Sequence, residues 1–274
     1  MKPIKLAALA LALAVPFAAQ AHKAWVLPSQ TVLSGADPWV TVDAAVSNDL
    51  FYFEHQPLRL DAVKAWAPDG SEATIENKAT GRYRSTFDVH LTQKGTWKIA
   101  SVSDGVMGSY DLGGKTERLP RGTTTANLAE RIPAGATNVK TAESNNRNEI
   151  FVTVGEPTTT LFKPTGKGIE LVPVTHPNDL IAGEAATFQF LLDGKPAAGL
   201  PVTVIPGGIR YRDQLGQMDL KTGADGKVAV NWTEPGLYWL NVTTPQAERA
   251  EGAPEPATPQ RRASYVTTLE VLAP

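Results

Sequence analysis

Cysteine is absent from all 274 residues. That excludes disulfides, a thiolate metal site, a lipoprotein anchor and a cysteine nucleophile. Charge of one sign is also missing: 26 Lys and Arg stand against 28 Asp and Glu, a formal net charge of −2. So even a balance speaks against a nucleic-acid partner. Past residue 21, no apolar run approaches the roughly 20 residues that cross a bilayer, so no membrane anchor is expected. A nucleophile elbow, a Walker loop and a dinucleotide-type glycine loop are all missing. No Ser/His/Asp triad can be argued, and neither repeats nor heptads stand out. Catalytic and organic-cofactor residues are therefore expected to be none, and the chain is read as not an enzyme.

What is present begins at the amino terminus. Lys2 and Lys5 precede an apolar stretch over 6–19, and Ala19-Gln20-Ala21 has the small-x-small form of a cleavage site. Residues 1–21 read as a secretory signal of bacterial type, which points to the periplasm. Cleavage after Ala21 leaves 253 residues that begin with His22 and carry a charge near −4, since both leader lysines go. That length suits two domains held by core burial alone. A free α-amine and an imidazole on one residue can chelate a metal in a six-membered ring. The amine's pKa of about 7.7–8.0 lets a transition metal displace its proton near neutrality. Imidazole nitrogen suits copper, zinc, nickel and iron.

Strand signals dominate the rest. Alternation appears at Trp39, Thr41 and Asp43, and again over 59–67 before a Pro68-Asp69-Gly70 turn. Around the turn Gln93-Lys94-Gly95, one run places Tyr83, Ser85, Phe87, Val89 and Leu91 on one face, and the next places Trp97, Ile99 and Ser101 alike. This is the pattern of a half-buried antiparallel pair. Residues 106–148 break it. Rich in Gly, Thr, Asn and Arg, with a short helical stretch over 124–132, they are expected to form a weakly structured functional loop or mobile flap. Strand character returns over 148–162, and Lys163 to Gly168 marks a boundary. From 168, short strands recur between Pro-Asn-Asp, Ala-Gly-Glu, Asp-Gly-Lys-Pro and Pro-Gly-Gly turns, followed by a Pro/Ala/Glu-rich stretch over 245–262 and a last strand over 264–272. The expected fold is all-β: two β-sandwich domains of immunoglobulin-like or transthyretin-like type after a cleaved signal peptide. The first spans 22–162 with the 106–148 insertion, the second 168–274.

Four histidines are the candidate ligands. His22 and His55 lead. His55 ends the aromatic run Phe51-Tyr52-Phe53-Glu54 just before Gln56-Pro57, where the chain must turn. A ring there is expected to have low water access, with Glu54 either orienting it or simply solvated. His176, in Thr175-His176-Pro177-Asn178, either faces the first domain as a ligand or opens a turn. His90 sits mid-strand between Val89 and Leu91 and is expected to face solvent. Arg210-Tyr211-Arg212-Asp213 reads as a loop tip that either supplies a ligand or forms a charged hairpin. Arg82 and Arg84, with Tyr83 between them, either bind an anion or pack a sheet edge, with packing preferred, and Asp219 and Asp225 read as hairpin turns rather than a calcium loop. The expected metal set is His22, His55 and His176.

Residues 21–29 (AHKAWVLPS), 51–55 (FYFEH), 81–89 (GRYRSTFDV), 169–204 and the closing pattern over 222–240 resemble the bacterial periplasmic domain-of-unknown-function family 4198. Some of its members are labelled nickel or cobalt uptake proteins. The resemblance implies a two-part β protein of the cell envelope, linked to metal or siderophore uptake and so to an envelope transporter as partner. The second half also resembles a carboxypeptidase-regulatory, transthyretin-like sandwich. Three functions follow. One is capture or delivery of a divalent transition metal for uptake; copper(II) should bind best in vitro, while nickel, cobalt, zinc or copper could be the biological ion. The others are a structural or interaction sandwich docking to the transporter, and a copper-dependent oxidative enzyme with an N-terminal histidine brace.

Overall fold

Three sheets build the protein in this computed structural model, which describes residues 22–245 and 261–274. The expected leader, 1–21, and most of the 245–262 stretch lie outside the described residues. A five-stranded sheet orders Lys23–Pro28, Trp39–Ser47, Ser85–His90 and Glu76–Thr80, with Gln56–Pro57 added beside Ala45 and Val46. Its alternation is the one read from sequence. Val40, Val42, Phe87 and Val89 point into a core, while Trp39 and Thr41 point out.

The largest sheet has ten strands and belongs to both halves of the chain. Its order runs Met218–Lys221, Pro201–Pro206, Gly236–Thr243, Arg262–Val271, Thr137–Val154, Gly95–Leu112, Val63–Trp66 and Glu72–Ala73, with Val32–Leu33 added beside Thr153 and Val154, and Lys115–Arg118 beside the end of Gly95–Leu112. The halves join where Arg262–Val271 lies parallel to Thr137–Val154, from Ser144 opposite Arg262 to Glu149 opposite Thr267. A four-stranded sheet of Ile169–Pro173, Ala185–Leu192, Lys195–Pro196 and Lys227–Asn231 completes the molecule. Asp193 and Gly194 turn its central hairpin with φ of 52° and 76°, as a two-residue type I′ turn requires.

The shared sheet is covered on both faces. Ile150 and Val152 pack with Val40, Val42, Phe87 and Trp97 of the first half. Phe151, between them, packs with Ile169, Phe188, Phe190 and Trp232 of the second. Hence Arg147 to Val154 are buried without a break, the pattern of a strand sandwiched on both sides. A third cluster binds the halves directly: Trp25, Ala45 and Leu50 against Ile205, Trp239 and Val266.

The 106–148 stretch is not a weakly structured loop. Two 18-residue strands, Gly95–Leu112 and Thr137–Val154, pair from Gly95 opposite Val154 to Asp111 opposite Thr137, with one irregularity between Thr137 and Lys140. Lys115–Arg118 folds back on the first of them. A small core of Val106, Tyr110 and Leu119 packs against Leu128 and Ile132, around the short helix Leu128–Arg131. Most residues of its distal strands are exposed or half-buried. Backbone pairing holds such a ribbon with little help from alternation, so the sequence shows no strand pattern there.

One buried ion cluster crosses the layers. Arg147 lies 3.5 Å from Glu149 and 3.6 Å from Glu170 of the four-stranded sheet, and all three are buried. Burial alone would raise the Glu170 carboxyl. Hydrogen bonds from the Thr165 N–H and hydroxyl and the Gly166 N–H, with the Arg147 charge, outweigh it and hold the group below its ordinary 4.5. A carboxylate with a lowered folded pKa supplies stability above about pH 4.5 and loses it as pH falls through the folded value. Urea unfolding across pH should show that loss, and Glu170→Gln should flatten it. Arg147→Met leaves two carboxylates buried without their cation and should cost about 3–5 kcal/mol at pH 7. An unchanged urea midpoint in that variant would refute the cluster's role.

Candidate functional site

The first strand brings His22 to the end of the five-stranded sheet. Lys23 is registered opposite Ser47, at the end of Trp39–Ser47. Two contacts fix this strand end: Trp239 Nε1 donates to the Ala24 carbonyl at 3.0 Å, and Trp25 Nε1 donates to Ser47 Oγ at 2.8 Å. The chain then loops through residues 48–55 and returns as Gln56–Pro57 beside Val46. Trp25 packs against the rings of Phe51 and Phe53, at 5.6 and 5.5 Å. Glu54 Oε1 accepts the N–H groups of Asn48 at 3.0 Å and Asp49 at 2.8 Å, which closes the loop on itself.

This loop sets His55 against His22. Their rings stack with centroids 3.8 Å apart and planes 7° from parallel. The residues are 33 apart in sequence, and only the fold brings them together. Both are exposed, so the expected low water access of His55 does not hold: Phe51 and Phe53 turn toward Trp25 instead, and Tyr52 toward Tyr211. Glu54 neither orients the His55 ring nor stands solvated; it holds the loop backbone.

Two imidazoles this close are within reach of one ion, whose bonds to nitrogen are about 2.0–2.1 Å long for zinc. Such a bond lies in the plane of its ring. Rings stacked face to face cannot both aim an in-plane lone pair at one ion, so one ring must turn before both nitrogens point at the same place, and exposure leaves room for that turn. Two nitrogens make an incomplete set. The α-amine of His22, once freed, would supply a third on the same residue. Among the described residues, no three His, Asp or Glu side chains form a ready ligand group.

His176 does not join the pair. Its Nδ1 accepts the Asn178 N–H at 3.1 Å, which leaves the proton on Nε2, 3.0 Å from Thr96 Oγ1 and 3.2 Å from the Thr158 carbonyl. Phe162 meets the ring edge-on at 5.5 Å. Thr96 in turn bonds Thr153, whose N–H donates to the Thr31 carbonyl. That places His176 beyond the far end of the first strand, a strand length of roughly 20 Å from His22. With both nitrogens engaged, His176 is a joint between the halves. His90 lies at the opposite end of Trp39–Ser47. It stacks on Trp39 at 4.3 Å, with Nε2 2.5 Å from Asp37 Oδ1.

Sequence reasoning passed over two contributors. Arg210, read only as part of a loop tip, bridges Asp49 at 3.0 Å and Glu54 at 2.7 Å. Beside it runs a groove of about 700 Å³ lined by Phe51, Tyr52, Pro206, Tyr211 and Pro235. The doublet Arg210-Tyr211 after Pro206-Gly207-Gly208 was the available signal; its target, half a chain away, was not.

Fold and site together define an all-β protein of stacked sandwich sheets with an exposed histidine pair at one sheet end. The chain belongs to the family described as "Domain of unknown function (DUF4198)", whose model matches residues 19–246. No curated protein matches it. Among solved structures, similar chains include the D0-D1 domain of Intimin, at 13% identity over 90% of this chain and 97% of that one, with a TM-score of 0.22. A DUF4785 family protein from Legionella pneumophila is 8% identical over 80% of this chain and 50% of its own, with a TM-score of 0.23. Escherichia coli alpha-2-macroglobulin activated by porcine elastase is 11% identical over 92% of this chain and 31% of its own, at 0.22. At such scores these likenesses carry no argument about function.

Burial pushes the His176 imidazole below its ordinary 6.5, against the raising effects of the Thr158 carbonyl and Asp179. A histidine kept neutral in the fold contributes stability above about pH 6.5 and loses it as pH falls toward the lower folded value. His176→Ala should remove that part of the pH slope in urea unfolding. It should also cost about 1–3 kcal/mol at pH 8 by stranding the Asn178 N–H. Metal affinity should not change; a fall in affinity without loss of stability would place His176 in the metal site after all.

Proposed function

We propose that this is a non-catalytic periplasmic protein that captures or delivers a divalent transition metal ion through the processed His22 terminus and His55. The stacking of these two rings at 3.8 Å, across 33 residues of sequence, is the observation that supports this reading. Nothing in the local sequence requires their meeting. The strand end bearing His22 is anchored by Trp239, and the loop bearing His55 is closed by Glu54. A nitrogen-only set of amine and two imidazoles suits copper, nickel, cobalt or zinc, and favours copper(II) in vitro. Since the donors must shed protons to bind, affinity falls on acidification.

A second reading is an interaction sandwich that docks to an envelope transporter. The groove beside Tyr52 and Tyr211, with Tyr211 86% exposed, favours it. Calorimetry separates the two. Metal-free protein beginning at His22 is titrated with copper(II), nickel(II) and zinc(II), beside His55→Ala and a version with one extra residue before His22. The metal reading expects each alteration to weaken binding tenfold or more. Equal, weak binding by all three proteins leaves the interaction module. Oxygen consumption with copper and a reductant would instead revive the oxidative enzyme.

A further inference from the structure

The loop that carries His55 is clamped by a residue from the other half of the chain. Arg210 lies in the 3-10 turn Ile209–Tyr211. Its Nε donates to Asp49 Oδ2 at 3.0 Å, its Nη2 donates to Glu54 Oε2 at 2.7 Å, and its guanidinium lies 4.1 Å from the centre of the Tyr52 ring. Asp49 and Glu54 stand near the two ends of the loop between Ser47 and Gln56. One planar cation therefore ties the loop's entry to its exit, with Tyr52 stacked beneath. Glu54 passes the constraint on: its second oxygen holds the Asn48 and Asp49 N–H groups, and His55 is the next residue along.

We propose that Arg210 is a positioning residue for metal binding, setting where the His55 ring stands relative to His22. This inference rests on the metal reading of the histidine pair. Arginine suits the task and lysine does not. The guanidinium is a planar fork with several fixed donors that also stacks on an aromatic face, whereas an ammonium is a point charge on a flexible stem. Exposed ion pairs contribute little to global stability. Losing Arg210 should therefore free the loop without unfolding the protein.

The test uses copper(II) alone and processed full-length protein carrying Arg210→Ala, Arg210→Lys, His55→Ala or the Arg210→Ala/His55→Ala pair. Arg210→Ala should weaken copper binding by about tenfold or more, the scale of losing a residue that orients a ligand, with the same stoichiometry and an unchanged urea midpoint. Arg210→Lys should recover little of it. In the His55→Ala background, Arg210→Ala should make no further difference. A metal-free readout accompanies these: the stacked rings shift one another's imidazole resonances, and Arg210→Ala should remove that mutual shift from the NMR spectrum. Copper binding that Arg210→Ala leaves intact, unmoved imidazole resonances, or an equal loss with and without His55 would overturn the inference alone. Failure of the unaltered protein to bind copper would overturn the metal reading and this inference with it.

Discussion

Everything that distinguishes this molecule from two sandwiches in a row depends on the parallel pairing of Arg262–Val271 with Thr137–Val154. Strands more than a hundred residues apart share one ladder, so the last strand of the chain is built into a sheet begun in its first half. The second half is then fixed in position and rotation against the first. Val266, Trp239 and Ile205 come to face Trp25, Ala45 and Leu50, and the indole of Trp239 reaches the Ala24 carbonyl. Arg210 reaches the 48–55 loop for the same reason. The contacts that the second half makes at the histidine pair, from Trp239 and Arg210, are thus long-range consequences of one strand pairing, while Trp25 and Glu54 hold the site from within the first half.

Such a pairing has its own requirements. Parallel strands need a long crossover connection, and here the whole second sandwich serves as that crossover. The joined strand is covered on both faces, so its side chains must satisfy two cores at once. Ile150 and Val152 serve one, Phe151 the other. A charge within this buried run needs an opposite charge beside it, although the Asn148 side-chain amide has no hydrogen-bond partner among the described residues. Arg147 therefore sits between Glu149 and Glu170, and Glu170 is itself saturated by the Thr165–Gly166 turn. The cluster gives the seam a charge pattern that a strand slipped by one residue could not satisfy, because the slip would carry Arg147 to the opposite face.

How much of this could be read beforehand varies with the range of the interaction. Strands that bury one face, such as Trp39–Ser47, Ser85–His90 and Lys227–Asn231, announce themselves by period-two alternation, and turns such as Asp193-Gly194 by residue type. The all-β class follows from these. The distal half of the long hairpin does not, since Ser101 to Leu112 and Thr137 to Asn146 are wetted on most positions and hydrophobic periodicity has nothing to report. The shared sheet was equally hidden: SYVTTLEVL is a good strand, but its sequence does not say which neighbour it takes. At the site, His22 and His55 were legible as residues with metal chemistry, while their contact was not. His176 was ambiguous for a related reason. A histidine before proline at a domain boundary looks the same whether it faces a ligand or, as here, a threonine hydroxyl and a backbone carbonyl.

The character of the histidine pair also constrains what kind of metal binding the proposal can mean. Structural zinc sites close four ligands around the ion and add folding energy outright. Here Trp239, Glu54 and Arg210 hold the strand end and the loop through the protein's own hydrogen bonds. The two rings lie at the surface, and one must turn from its stacked orientation to ligate. Stacking and ligation are then alternative states of the same pair, separated by a side-chain rotation rather than by refolding. The third nitrogen exists only after cleavage behind Ala21, so on this reading the full donor set would be assembled outside the cytoplasm. An exposed and incomplete set is suited to taking an ion up and giving it away, with the remaining positions left to water or to a partner's ligands.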